Sequence, residues 1–370
     1  MRALMRVGSI CVLGFCSCDT GGSDPARDAG KQSNPGDSPA RVGPLKAIWG
    51  PVWLPNGRSA FPVYRQLGVE VLQLQLRWDR VATRRPSTAR DPADPAYDWG
   101  ADIGEAIDRT AAMEAEVALL VTGTPRWANG GRDHRWAPTA VNDLSDFAAA
   151  ASRRYPDVRI WMVWGEPNRP DRFQPSGGKA PRRYAQLLDA AYGALHEADG
   201  EDIVVGGMTF SAGRLRPKQF LDGLRLPGGR PPRLDWYGHN PYPYRFPDLA
   251  KDPVSGGFRD LSDLDTFARE VRAHWAPGGN PKLWLSEFTI QSDRTSRILR
   301  AAVSRSRQAQ WLEEGFRVAA ESEAVAGIGW FSLIDQQPEA AESSHSGLMT
   351  TGLKPKASFH AYRGVSGGRQ

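Results

Sequence analysis

Past residue 18 this 370-residue sequence contains no cysteine: Cys11, Cys16 and Cys18 are the only three, and all lie in one N-terminal stretch. The body of the chain therefore forms no disulfide of its own and offers no thiolate to a metal. Its six histidines are dispersed, and no His, Cys or Asp pair has ligand spacing, so no metal is expected. No strand-like run leads into a GxGxxG turn, which removes the usual mark of a dinucleotide fold. No GxSxG elbow is present to carry a serine nucleophile. There is no dense Lys/Arg tract either. The net charge of +5 comes from scattered arginines, which argues against nucleic acid as a partner.

What the first forty residues do contain reads as a processing signal followed by a tether. Arg2 and Arg6 precede a short apolar run, residues 7–15, far below the roughly 20 residues that span a bilayer. "GFCSCD" resembles a bacterial lipoprotein cleavage site with Cys18 as the lipid acceptor, although Phe15 is unusual there and Cys16 is a rival. The expected division is a signal segment at 1–18, a disordered linker at 19–44 and one folded domain at 45–370. The linker has no aromatic and almost no large apolar side chain, too little to offset its ordering entropy. As a flexible spacer it would reach roughly 30 Å. The expected location is the bacterial cell surface or the exterior, by lipid anchor or by plain secretion.

From Leu45 onward short apolar runs alternate with longer amphipathic stretches. Eight strands are predicted at 46–53, 69–78, 115–125, 157–167, 201–208, 232–243, 281–290 and 324–335, with helical stretches between them and a last one at 356–364. Eight such repeats call for a parallel sheet covered by helices, and a (β/α)8 TIM barrel accommodates them in one domain. A doubly wound sheet is the structural rival. In a barrel, functional groups gather at the C-terminal strand ends. Two glutamates stand there: Glu166 in "VWGEPN" after the fourth strand, and Glu287 in "WLSEF" after the seventh. Paired carboxylates about 5 to 5.5 Å apart suit hydrolysis of a glycosidic bond with retention. One would be the acid and the other the nucleophile, which needs unlike environments. Trp161, Trp164 and Pro167 suggest an apolar setting for Glu166. Arg77 and the Tyr242 hydroxyl would keep Glu287 charged.

With these residues in place, the sequence resembles the barrel glycosidases of glycoside hydrolase clan A, particularly families 5 and 39, over residues 45–365. The resemblance implies a carbohydrate substrate and no cofactor. It implies Glu166 as acid/base, Glu287 as nucleophile, Arg77 at the end of strand two, and His239 and Tyr242 as a pair after strand six. It also implies Trp330 as the sugar platform after strand eight. Trp127, with Trp136, Trp49 and Trp53, is a candidate subsite wall. Loops at 123–139, 240–260 and 335–352 would wall the cleft.

One departure from the pattern bears on activity. The clan's Asn before the acid/base is Gly165 here, and that Asn donates to the sugar 2-hydroxyl. Asn168 is expected to point elsewhere. Gly165 therefore keeps a second reading open, a glycan-binding lipoprotein on a barrel that has lost its chemistry. A third uses other carboxylates at the mouth, Asp79 or Asp335.

Overall fold

The computed structural model describes residues 43–295, 301–336 and 344–368. The proposed signal segment, Cys18 and the linker up to residue 42 lie outside the described residues. Eight barrel strands follow in chain order: β1 (Leu45–Trp49), β2 (Val71–Arg77), β3 (Glu116–Thr122), β4 (Ile160–Val163), β5 (Ile203–Phe210), β6 (Trp236–Asn240), β7 (Lys282–Phe288) and β8 (Val325–Phe331). Each pairs in parallel with its sequence neighbours, and β8 pairs back onto β1, so the sheet closes. The expected (β/α)8 barrel is the observed fold.

Helices return the chain from the top of each strand to the bottom of the next. They are α1 (Phe61–Leu67), α2 (Trp78–Val81), α3 (Asp102–Ala111), α4 (Val141–Arg154), α5 (Ala180–Ala198), α6 (Pro217–Gly223), α7 (Leu264–Trp275), α8 (Arg305–Ala320) and α9 (Ala357–Gly364). Their limits follow from local chemistry. Pro62, Pro181 and Pro217 stand in first turns, where the missing N–H is not needed. Gly68 ends α1 in the left-handed conformation at φ 62°, which glycine adopts without a Cβ penalty. Ser304 caps α8 by accepting from the Arg307 N–H at 3.2 Å.

The strand ends differ from the sequence expectation by one to four residues. Trp78 and Glu166 lie past their strands, in a helix and in a turn. The barrel interior is filled by alternate residues: Leu45 and Ala47, Ala118 and Leu120, Ile160 and Met162, with Trp284 across from them. Each of the leucine, isoleucine and methionine side chains contributes about 1.5–3 kcal/mol on burial. Gly327 makes room for the indole, since a Cβ there would lie 2.3 Å from Trp284 Cζ3. A larger cluster packs the outer strand faces against the helices. Polar residues on the inner face therefore belong to the upper end, where the barrel opens.

Candidate active site

A cavity of about 480 Å³ sits at that end, and both Glu166 and Glu287 line it. The two carboxylates reach it by different means. β4 ends at Val163, and the next turn holds two non-glycine residues in the left-handed region, Trp164 at φ 61° and Glu166 at φ 50°. Each costs on the order of 1–3 kcal/mol and persists only where surroundings enforce it. Here the Trp164 N–H donates to Val121 O at 2.9 Å and the Glu166 N–H to Met208 O at 3.0 Å. Asn168 completes the latch: its amide donates to Phe210 O and Leu215 O, and its oxygen accepts from the Phe210 N–H. As expected, Asn168 points away from the cavity. Glu287 comes directly from the last two residues of β7.

The charges are distributed opposite to the expectation. Glu166 meets cations and an amide, not tryptophan: Arg169 Nη1 donates to Oε2 at 2.8 Å, Arg172 Nε is 3.7 Å from it, and Asn240 Nδ2 donates to Oε1 at 3.1 Å. Trp164 turns its indole N–H to Arg172 O, and Trp161 donates to Asp202 below the cavity. Glu287 accepts from the Tyr242 hydroxyl, as expected, but Arg77 does not approach it. Both nitrogens of the Arg77 fork donate to Asp79 at 2.7 Å. Desolvation, and next the charge of Glu166, push the Glu287 carboxyl up to about 8.

A titration consequence follows for stability. An unfolded chain gives up the Glu287 proton near the ordinary value of 4.5, whereas the folded protein holds it to about 8. Between those values the folded state binds more protons, so the stability tied to Glu287 is full below the window and falls as pH rises through it. The urea midpoint of the wild type relative to that of Glu287→Gln should therefore decline from about pH 4.5 to 8, because the opposite slope that His239 adds between about 4 and 6.5 is common to both and cancels. A slope unchanged in the variant would contradict the assignment.

Three proposed substrate contacts are placed elsewhere. His239 lies beneath the cavity: Nε2 donates to Arg259 O, Nδ1 accepts from the Thr209 hydroxyl, and the ring packs on Phe267 at 4.6 Å. Burial pushes its imidazole down to about 4, so it is neutral and structural. Trp330 is wholly buried, its indole donating to Ser346 O and its ring edge-to-face with Phe288. The alternation at the end of β8 turns Phe331, not Trp330, to the cavity. Trp127 donates to Ala82 O and packs on Trp78, outside the lining. Of the other tryptophan walls only Trp49 lines the cavity; Trp53 lies under Arg109 and Trp136 under Arg132. Arg77 and Tyr242 do line it. The alternative carboxylates are engaged in pairs, Asp79 with Arg77 and Asp335 with Lys356.

The sequence reading missed Asn240, Arg169, Arg172 and Gln73. Gln73 reaches across the barrel to Ser286 O at 2.9 Å and accepts from Trp284. Its signal was available, because Gln73, Gln75 and Arg77 recur at period two in an otherwise apolar run. The arginines had none, since their aim depends on the left-handed turn at Glu166. Each of the three long loops contributes to the wall, through His134 and Arg135, through Tyr242, and through Gln336 and Ser344. Residues 337–343 of the third lie outside the described residues.

No protein-family model matches the chain, and no curated protein matches it. Solved structures do. A family 39 glycoside hydrolase from Bacteroides cellulosilyticus WH2 aligns with TM-score 0.61 at 15% identity, over 87% of this chain and 63% of that one. A glucosidase from Croceicoccus marinus aligns with TM-score 0.62 at 16% identity, over 89% and 68%. A monomeric beta-xylosidase from Caulobacter crescentus CB15 aligns with TM-score 0.60 at 18% identity, over 88% and 69%. The likeness is one of fold, a closed (β/α)8 barrel. The chain spans 63% of the length of the first of these proteins and slightly more of the other two.

Proposed function

We propose that the protein is a retaining glycoside hydrolase acting on an extracellular oligo- or polysaccharide. The observation that carries this reading is the pair of glutamates at the ends of β4 and β7, lining one cavity. Glu287 would attack the anomeric carbon and form a glycosyl-enzyme while Glu166 protonates the leaving oxygen; Glu166 would then take a proton from the water that releases the sugar. Tyr242, already donating to Glu287, stabilises the attacking carboxylate. Burial favours a proton on Glu287 in the free protein, so the attacking carboxylate has to give it up when substrate enters. Glu166 has to deliver a proton to the leaving oxygen in competition with Arg169, which donates to its Oε2.

That competition, together with Gly165, favours one second reading, glycan binding without turnover. A Cβ at residue 165 would lie 3.3 Å from Leu120 Cδ2, so the missing Asn would fit only if that leucine gave way by a few tenths of an ångström. A panel of aryl glycosides and cell-wall or plant polysaccharides separates the two readings. Released product supports the hydrolase; saturable binding with no product supports the second reading. For location, the proposal is lipid anchoring through Cys18, tested by whether Cys18→Ala frees the chain from the membrane fraction.

A further inference from the structure

Glu166 lacks the Asn that would precede it in the pattern it resembles, yet an asparagine from another strand touches it. Asn240, at the end of β6, is buried and donates from Nδ2 to Glu166 Oε1 at 3.1 Å. Its main chain is fixed, because the Asn240 carbonyl accepts from the Ser211 N–H and hydroxyl and from the Tyr242 N–H. The back of its amide is different. Oδ1 is buried and has no hydrogen-bond partner among the described residues. Asn168 shows the contrast, with partners on both the oxygen and the nitrogen of its amide, so only one orientation satisfies it.

We propose that Asn240 is the positioning residue of Glu166, its amide turning to follow the protonation of that carboxyl. A carboxylate only accepts, whereas a carboxylic acid also carries one O–H donor. Rotation about the last side-chain bond exchanges Nδ2 and Oδ1 at nearly constant shape, and that torsion is broad and roughly two-fold. With no partner behind the amide, neither orientation is preferred from that side, and Glu166 alone sets it. Nδ2, which makes the contact in this structure, serves the anion, and Oδ1 serves the acid. An acid/base residue passes through both states in each cycle, so one neighbour holds Oε1 throughout while Arg169 meets Oε2. The second half of this statement rests on the hydrolase reading; the first half does not.

The test therefore has two parts. In the full chain labelled with 15N-asparagine, the Asn240 side-chain amide, assigned by its loss in Asn240→Leu, is followed across pH. The expected result is a transition in its proton shifts that disappears in Glu166→Gln. A static resonance, or one that moves equally in Glu166→Gln, overturns the proposal whether or not the protein turns over any sugar. Where turnover is found, Asn240→Leu should lower kcat/KM for a phenyl glycoside about 10- to 100-fold, but for a dinitrophenyl glycoside, whose leaving oxygen needs no proton, less than about 3-fold. Equal losses on both substrates would mark a merely structural residue and overturn the proposal.

Discussion

Glu287→Gln should lower kcat/KM by roughly 10⁴-fold or more on any glycoside the protein cleaves, with the fold intact. The amide cannot form the ester that retention requires, whereas its oxygen still accepts from the Tyr242 hydroxyl in the place of Oε2. The variant is neutral, and so is Glu287 itself below about pH 8, so the packing around Tyr242 meets a charge state it already tolerates. Loss of activity and gain of stability at alkaline pH should thus appear in one variant, a separation that unfolding cannot produce. A loss smaller than about 10-fold would remove Glu287 from the nucleophile role.

The second large effect concerns the wall of the cleft. Lys356 and Asp335 form an ion pair at 2.9 Å with side-chain exposures of 0% and 4%. Asp335 Oδ1 also accepts from the Gly347 N–H, and Lys356 Nζ donates to His345 O, so the pair ties the start of the loop after β8 to its return. Asp335→Ala leaves a buried ammonium without its counter-charge, which costs about 3–5 kcal/mol. Replacing both partners by apolar residues of similar volume should cost far less, because neither charge is then left behind. Urea unfolding of the two single variants and the double variant at pH 7 measures the coupling. A double variant as unstable as Asp335→Ala would show that the residues matter for shape, not charge.

Much of the frame was legible in the sequence because a barrel is written in repetition. Eight apolar runs separated by amphipathic stretches gave every barrel strand, and Glu166, Glu287, Arg77 and Tyr242 stand at the strand ends where such a count puts them. The failures occur where regular alternation stops. Trp330 and Phe331 are adjacent, and only the register at the end of β8, which shifts between Ile328 and Trp330, decides which ring faces the cavity. His239 and Asn240 are likewise adjacent; the histidine went to the core and the asparagine to the site. The electrostatics were hidden for another reason. Arg169 reaches Glu166 because a left-handed glutamate folds the chain back within three residues, and no pattern of composition announces that turn. Trp164 looked like an apolar neighbour in sequence but turns away to Arg172 O.

The most direct measurement is the configuration of the first-formed product, read by proton NMR before mutarotation once a cleavable glycoside has been found. Double displacement through Glu287 predicts that the released sugar keeps the anomeric configuration of the substrate. Release of the opposite anomer would contradict it, since water would then have attacked directly and Glu287 would be a base and not a nucleophile.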